Sequence, residues 1–170
     1  MKAIYLIGFM GTGKTTISHA LGSQLNVQVT DCDEAIVQFA GKTITRIFED
    51  EGEQGFRDIE QQTLMQLPAE NHVIATGGGV VLRGENRVFM KENGIIVWLE
   101  ASIEEILKRL ETDQTRPLLA GENKAERIQT LYNERKELYE GTADIRIDTT
   151  GKSPDEIIRE IMSRMAENHV

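Results

Sequence analysis

The sequence has very little cysteine and no long apolar run, and each absence removes a class of protein. Cys32 is the only cysteine among 170 residues, so an internal disulfide is excluded and a reducing compartment, the cytoplasm, is expected. We expect Cys32 to be a small buried residue, with a reactive thiol as the alternative. No apolar run approaches the roughly 18 residues that a membrane span needs. The opening run from Met1 to Ile7 is also too short for the apolar core of a signal peptide, and it predicts a first strand.

An excess of positive charge is missing as well. The chain carries 28 acidic and 19 basic residues, which gives a formal net charge of −9. Nucleic acids and anionic membranes both bind basic surfaces, so we expect neither as a partner. An anionic substrate would have to be held by individually placed cations, and the position of each arginine is therefore informative.

What the sequence does contain is short apolar runs that alternate with segments of helical periodicity. This alternation is typical of a parallel sheet covered by helices. It predicts a single α/β domain over residues 1–170, with three layers and a five-stranded parallel sheet. The predicted strands are Ala3–Ile7, Val27–Thr30, Val73–Ala75, Ile95–Leu99 and Ala143–Ile147.

Two late helices have clear start signals. Ser102 is followed three residues later by Glu105, which predicts a capping box. Ser153 precedes Pro154 at the first helical position, and Glu156 stands at the third. Both serines are therefore predicted N-caps.

Two segments do not fit the alternation. Asp33–Leu67 is helical in pattern and lacks a strand, and we place a substrate-binding helical insertion at residues 32–61. Glu111–Asn123 is polar and predicts a mobile lid loop over residues 111–123. Segments that do not build the sheet commonly supply substrate-binding residues and lids.

A phosphate-binding loop follows the first predicted strand. Gly8-Phe9-Met10-Gly11-Thr12-Gly13-Lys14-Thr15 matches G-x-x-x-x-G-K-[ST] in full, between a strand and a helix. Its glycines let backbone N–H groups converge on phosphate oxygens, and the next helix directs its positive end at the same point. Lys14 can reach the β- and γ-phosphates, and the Thr15 hydroxyl can ligate Mg²⁺. The predicted ATP-binding residues here are Gly11, Thr12, Gly13, Lys14, Thr15 and Thr16.

Other glycine-rich nucleotide motifs do not match. A dinucleotide fingerprint beginning at Gly11 would need glycine or alanine where Thr16 stands. A GTPase would need D-x-x-G before N-K-x-D, whereas Asp148–Gly151 comes after Asn123–Glu126.

An acidic pair follows the second predicted strand. Asp31 and Asp33 lie at its carboxyl end, where ligands bind in open α/β sheets. If the backbone is extended there, both carboxylates point the same way. One would then face the water shell of the metal and the other would hold the acceptor hydroxyl. The alternative is a solvated helix cap with Asp33 as the N-cap.

The candidate acceptor site draws on two further segments. Arg57 and Glu60 share one helical face, flanked by Phe48 and Phe56, and are interpreted either as a surface ion pair or as part of a pocket. Gly77–Gly79 follow the third strand, which suggests close approach of a ligand to the backbone, unless the segment is a plain turn.

Two later arginines are also candidates. Arg116 lies in the polar loop, where it could close over a transferring phosphate. Arg135 lies on an apolar helical stripe, so it either snorkels to solvent or points at a buried anion, and its planar fork suits a carboxylate.

Taken together, these motifs resemble the shikimate kinase family from about Ile4 to the C-terminal helix. The resemblance implies a P-loop kinase that moves the γ-phosphate of ATP to the 3-hydroxyl of shikimate, with Mg²⁺, in aromatic amino-acid biosynthesis. It implies that Asp33 binds ring hydroxyls and is the group best placed to take the hydroxyl proton. It further implies that Arg57 and Arg135 bind the carboxylate.

The remaining roles also come from the resemblance. Gly79 would make a backbone contact to the acceptor, and we include Glu60 and Gly78 among the substrate-binding residues. Arg116 would be the lid arginine on the nucleotide phosphates, and Arg109 and Pro154 occupy plausible positions beside the adenine. With Lys14 and Asp33, Arg116 completes the predicted catalytic set. The predicted metal site is Thr15, with Asp31 acting through water.

Three other functions stay open at this point. They are a gluconate kinase, a nucleoside monophosphate kinase, and a binding module that needs nucleotide but catalyses nothing. The expected partners are the small molecules ATP and shikimate, and the expected state is a monomer, since no long exposed apolar stripe demands a partner.

Overall fold

The computed structural model describes residues 1–113, 116–119 and 121–168. In this part of the chain, five strands form one parallel sheet in the order β2-β3-β1-β4-β5. The strands are β1 (Ala3–Ile7), β2 (Gln28–Asp31), β3 (His72–Ala75), β4 (Gly94–Glu100) and β5 (Ile145–Asp148). The predicted three-layer α/β class with a five-stranded parallel sheet is confirmed.

Helices connect the strands and cover both faces of the sheet. They are α1 (Lys14–Leu25), α2 (Cys32–Ala40), α3 (Ile44–Gln66), α4 (Gly84–Asn93), α5 (Ile103–Leu110), α6 (Lys124–Thr142) and α7 (Pro154–Glu167). Short 3₁₀ turns lie at Val80–Leu82 and Pro117–Leu119. Within the described residues, no helix combines the length and the apolarity that crossing a bilayer would require.

Alternate residues of β1 pack into two different cores. Ile4 and Leu6 join the core that includes α1 and α7, whereas Tyr5 and Ile7 join the core on the opposite face. All five residues of β1 are buried because helices cover both faces, which explains its unbroken apolar run.

The strand order brings the candidate segments to one edge. β1 is central and pairs with β3 on one side and β4 on the other, and β2 lies beyond β3. Since all strands are parallel, their carboxyl ends share one edge, and the loop after β1 lies beside Asp31 and Gly77–Gly79 there. Ligands bind at this kind of position in open α/β sheets.

Element boundaries differ from the predictions in small, explicable ways. Val27 is not in β2, because its N–H donates to the Gly22 carbonyl and closes α1. Ala143 is not in β5, because its N–H donates to the Tyr139 carbonyl at the end of α6. The predicted helical pattern of Asp33–Leu67 is confirmed by α2 and α3, although α3 kinks at Gly52, where φ is 71°.

One predicted cap is complete and the other is not. Ser153 and Glu156 form the reciprocal capping box of α7, with Pro154 in its first turn. Ser102 accepts from the Glu105 N–H at 3.2 Å and is the N-cap of α5. The prediction of a full box there was wrong, because the Glu105 carboxylate pairs with Arg109 and the Ser102 N–H donates to Thr150.

Candidate active site

The loop between β1 and α1 is shaped as a phosphate cradle. Gly8, Gly11 and Gly13 all have positive φ, which lets the backbone curl. α1 begins at Lys14 without a side-chain cap, so its first N–H groups have no capping acceptor. A helix start of this kind is an anion-binding site. Thr12 is buried and donates to the Phe9 carbonyl at 2.8 Å, which stiffens the loop.

Lys14 lies folded over this loop. Its Nζ donates to the carbonyls of Gly8 at 2.7 Å and Phe9 at 2.9 Å. Burial lowers the pKa of Lys14 to about 7, and the Arg116 charge adds to the lowering while the Asp33 charge opposes it. An incoming anion would stabilise the charged form of this lysine.

Thr15 and Asp31 form an oxygen-rich pair beside the loop. The Thr15 hydroxyl donates to Asp31 Oδ2 at 2.8 Å. The other oxygen, Asp31 Oδ1, accepts from the N–H groups of Asp33 at 2.8 Å and Glu34 at 3.3 Å. Asp31 is therefore the N-cap of α2, and the alternative that placed Asp33 at this cap was wrong.

Asp33 lies in the first turn of α2, so the backbone between the two aspartates is not extended as the predicted side-by-side arrangement required. Burial raises the pKa of Asp33, and the negative charge of Asp31 adds to the rise. Cys32 between them is 2% exposed, and burial raises the pKa of its thiol well above the usual value. This confirms the prediction of a small buried residue and disfavours a reactive thiolate.

A cavity of about 490 Å³ extends from the phosphate cradle towards α5 and α7. The whole predicted ATP-binding set lines it, namely Gly11, Thr12, Gly13, Lys14, Thr15, Thr16, Arg109, Arg116 and Pro154. Arg109 is held at its rim, since it donates to the Gly11 carbonyl at 2.9 Å and pairs with Glu105 at 3.1 Å. We call this space the nucleotide cavity.

A second cavity, of about 370 Å³, opens between α2, α3 and α6. We call it the acceptor cavity. Arg57 and Glu60 line it and pair at 2.9 Å, and only 5% and 2% of these residues are exposed. The interpretation as a surface ion pair was therefore wrong.

Two atoms of this pair lack partners. Among the described residues, nothing accepts a hydrogen bond from Arg57 Nε or donates one to Glu60 Oε2, although both atoms are buried. Such groups are rare in folded proteins, and a bound ligand is one of the few arrangements that would satisfy them. Phe56 lies under the guanidinium at 5.1 Å and also packs against Phe48.

The Gly77–Gly79 segment lets these side chains approach the backbone. A Cβ on Gly79 would lie 2.5 Å from three atoms of the Arg57 guanidinium, and one on Gly77 would lie 2.7 Å from Glu60 Oε2. The segment does form a turn, since the Val80 N–H donates to the Gly77 carbonyl at 3.1 Å. It is more than a plain turn, because a side chain at Gly77 or at Gly79 would displace the Arg57–Glu60 pair.

Arg135 enters the same cavity from α6. The residue is 2% exposed, so it does not snorkel to solvent. Its guanidinium lies 5.9 Å from the centre of the Phe9 ring. Within the described part of the chain, no carboxylate lies within the 4.0 Å that defines an ion pair with Arg135. A buried cation of this kind calls for an anion.

Arg116 lines both cavities, together with Met10, Asp33, Gly77 and Gly78. In this structure its Nε pairs with Asp113 at 3.0 Å. Of the predicted lid, residues 114, 115 and 120 lie outside the described residues. Pro117–Leu119 form a 3₁₀ turn, and Leu119 is buried.

Several lining residues were missed from the sequence, among them Met10, Thr149 and Lys152. Met10 occupies a variable position of the loop motif, so nothing marked it. Thr149 and Lys152 line the nucleotide cavity from the loop after β5. The Asp148–Gly151 stretch had been considered only as a GTPase fragment. Its position after a fifth parallel strand could have indicated a ligand-binding loop, because ligands bind at the carboxyl ends of such strands.

No cluster of three or more His, Cys, Asp or Glu side chains suited to a metal is present among the residues described. Any metal here would need ligands from elsewhere, as Mg²⁺ does when it is shared with substrate phosphates.

Comparison with known proteins places these features in one family. The sequence profile described as shikimate kinase matches residues 10–166. A shikimate kinase of Bacillus anthracis is 44% identical over 167 residues, which cover 98% of this chain and 100% of the relative.

Solved structures of shikimate kinases are similar to this one as well. The shikimate kinase from Acinetobacter baumannii in complex with shikimate has a TM-score of 0.93 and 37% identity, covering 99% of this chain and 94% of that one. A gluconokinase from Sinorhizobium meliloti has a TM-score of 0.59 at 16% identity, covering 98% of this chain and 92% of that one. The second similarity shows a shared fold only.

Proposed function

The chain belongs to the shikimate kinase family, and we propose that the nucleotide cavity holds ATP while the acceptor cavity holds shikimate. The protein is an ATP-dependent kinase that phosphorylates shikimate in aromatic amino-acid biosynthesis. The γ-phosphate passes to the 3-hydroxyl in our proposal, which gives shikimate 3-phosphate.

The observation that carries the acceptor assignment is the buried charge of Arg135. Among the described residues, the Arg135 guanidinium has no carboxylate partner and Arg57 Nε has no hydrogen-bond acceptor, and both arginines line the same cavity. We assign both arginines to the carboxylate of shikimate, because a planar fork matches a carboxylate. Asp33, Glu60, Gly78 and Gly79 complete the substrate-binding set, with Asp33 on ring hydroxyls and Gly79 donating its N–H.

The assignment of the nucleotide cavity follows from the cradle. The N–H groups of residues 11–16 and the Lys14 ammonium would surround the β- and γ-phosphates. Arg109 and Pro154 also line the cavity and would flank the adenine. Arg116 lines both cavities, so it is placed to contact the transferring phosphate.

Mg²⁺ fits the pair formed by Thr15 and Asp31. Both offer oxygen ligands, and Mg²⁺ in kinases is typically held by few protein oxygens together with phosphates. Thr15 would ligate it directly and Asp31 through water. When bound, Mg²⁺ supplies neutralising charge to the phosphate oxygens.

Three side chains carry the proposed chemistry. Lys14 and Arg116 stabilise negative charge on the phosphoryl oxygens as the transfer proceeds in line. Asp33 accepts the proton of the attacking hydroxyl, and its raised pKa makes it a better base than an ordinary aspartate. Arg57 and Arg135 fix the acid end of shikimate, so that its hydroxyl approaches in one orientation.

The organisation of the chain follows from these roles. We propose that residues 1–170 form one kinase domain, with residues 32–61 as the substrate-binding insertion and residues 111–123 as a lid that excludes water. We also propose that the enzyme acts as a monomer in the cytoplasm. Both cavities are lined by residues of a single chain, which supports a site complete in one subunit.

A panel of acceptors tests the proposal. The purified protein with Mg-ATP should form ADP rapidly with shikimate and at background rates with gluconate or nucleoside monophosphates. ADP formed equally well with gluconate would favour a gluconate kinase, and ADP formation with none of them would favour a binding module.

A further inference from the structure

The buried residue Tyr139 has no role in the site assigned so far. It lies one helical turn after Arg135 on α6, so the two side chains are neighbours on one face. The residue is 0% exposed, and its ring stacks on Trp98 with centroids 6.0 Å apart. A phenylalanine ring would provide the same packing, so the hydroxyl needs a separate explanation.

The Tyr139 hydroxyl donates a hydrogen bond to the Gly78 carbonyl. Burial raises the pKa of Tyr139 well above its usual value, with the nearby Arg135 guanidinium opposing the rise. The hydroxyl is therefore protonated throughout the physiological pH range and remains a donor.

The peptide unit between Gly78 and Gly79 links this hydrogen bond to the acceptor cavity. A trans peptide is planar, so its C=O and N–H point in opposite directions. A carbonyl fixed towards Tyr139 directs the Gly79 N–H away from Tyr139. Among the described residues, none accepts a hydrogen bond from that N–H.

Arg135 approaches the same glycines. A Cβ on Gly78 would lie 3.4 Å from Arg135 Nη1, so the guanidinium lies against this backbone. Arg57 lies against Gly79. The Gly78–Gly79 peptide is therefore next to both guanidinium groups.

We infer that Tyr139 is a positioning residue for the acceptor, whose hydroxyl fixes the Gly78–Gly79 peptide against Arg135 and aims the Gly79 N–H at the substrate. This inference rests on the proposed role of Arg135 in binding the acceptor carboxylate. Tyr139 acts through its neighbours and does not itself line the cavity.

The test is Tyr139→Phe, which removes one oxygen and keeps the ring on Trp98. We expect the KM for shikimate to rise about tenfold, as for loss of a buried hydrogen bond, while the KM for ATP stays within about twofold. Tyr5→Phe is the matched control. Tyr5 is also 0% exposed, but its hydroxyl has no hydrogen-bond partner among the described residues, so both KM values should be unchanged.

A double-mutant cycle with Arg135→Ala distinguishes a positioning role of Tyr139 from a general destabilisation of the site. If Tyr139 acts through Arg135 and the glycine backbone, Tyr139→Phe should add less than about threefold in the Arg135→Ala background. Full additivity, an unchanged shikimate KM in Tyr139→Phe, or an equal rise in both KM values would overturn the inference. An unchanged shikimate KM in Arg135→Ala alone would instead contradict the proposed function.

A measurement on the unsubstituted protein covers the case in which Tyr139→Phe does not fold. With ¹³C-labelled tyrosine, the Tyr139 Cζ resonance should shift when shikimate is added and much less when Mg-ADP is added. No shift with shikimate would also overturn the inference.

Discussion

The nucleotide cavity and the acceptor cavity meet at Asp33 and Arg116 but are built in different ways. The phosphate end of the nucleotide cavity comes from one continuous loop and the start of one helix. The acceptor cavity takes its two buried cations from α3 and α6, and both lie against the Gly77–Gly79 segment after β3. Thr15 and Thr16 are exposed, whereas Arg57 and Arg135 are buried.

This difference illustrates two ways in which a protein with net charge −9 can hold an anion. In our proposal the phosphates are held by backbone N–H groups and one lysine, all from a single stretch of chain. In our proposal the organic acid is held by two buried guanidinium groups, which are costly to leave unpaired. Substitutions at the nucleotide cavity and at the acceptor cavity should therefore have different effects on the kinetics and the binding of ATP and shikimate.

The largest effect is expected from Lys14→Ala on the nucleotide side. It removes the ammonium to which we assign stabilisation of charge on the transferring phosphate, and transfer should fall by at least about 10³-fold whatever the acceptor. ADP release with shikimate measures this. Lys42→Ala removes a lysine that pairs with Asp50 at 3.0 Å and lines neither cavity, so this variant should retain nearly full activity. Retained turnover in Lys14→Ala would end the P-loop assignment.

A smaller effect, confined to the acceptor side, is expected from Gly79→Ala. The added Cβ would meet the Arg57 guanidinium at 2.5 Å, so the guanidinium must move and the KM for shikimate should rise about tenfold. Steady-state kinetics with each substrate varied in turn measures this.

Gly141→Ala is the matched control, since no atom of the described residues lies within 4 Å of the new Cβ, apart from the adjoining backbone of its own helix. In a helix this change should be neutral or stabilise the fold by up to about 1 kcal/mol. If Gly79→Ala instead impaired ATP and shikimate equally, the two cavities would not be independent.

The smallest effect concerns pH on the nucleotide side. The pKa of Lys14 is lowered to about 7, and phosphate binding favours its charged form. The dissociation constant of Mg-ATP should therefore rise as pH increases from 7 to 8, by at most about fivefold. Isothermal titration measures it, and Lys14→Arg, which stays charged, should show a much flatter profile. A flat profile in the unsubstituted protein would contradict the lowered pKa.

The contrast between the two sides also explains what the sequence could predict. The residues from Gly8 to Thr15 are contiguous in the sequence. Their order, between a predicted strand and a predicted helix, was therefore sufficient to predict the phosphate-binding loop. The strands were located because parallel strands covered on both faces are unbroken apolar runs. Their ends were misplaced where Val27 and Ala143 close helices, which depends on single hydrogen bonds.

The acceptor side was harder because burial is a tertiary property. The i, i+3 spacing of Arg57 and Glu60 is the same for a surface pair and for a buried one. Only the packing of α3 against Gly77–Gly79 distinguishes them. Tyr139 carried no signal at all, since a tyrosine on an apolar helical stripe is ordinary core. The resemblance to a family indicated that these separate segments form one substrate site, which their spacing in the sequence did not.

The central claim is that two separate cationic sites, one for each anion, face each other across Asp33. Isothermal titration of Arg57→Ala with shikimate and with Mg-ADP tests it most directly, with Arg46→Ala, an exposed arginine of α3 that pairs with Asp50 at 3.2 Å, as the control. Loss of one partner of a desolvated charge pair costs about 2–5 kcal/mol, or between about one and four decades in affinity. We predict that loss for shikimate, with Mg-ADP binding unchanged within about twofold. Equal weakening of both ligands, or unchanged shikimate binding, would contradict the account.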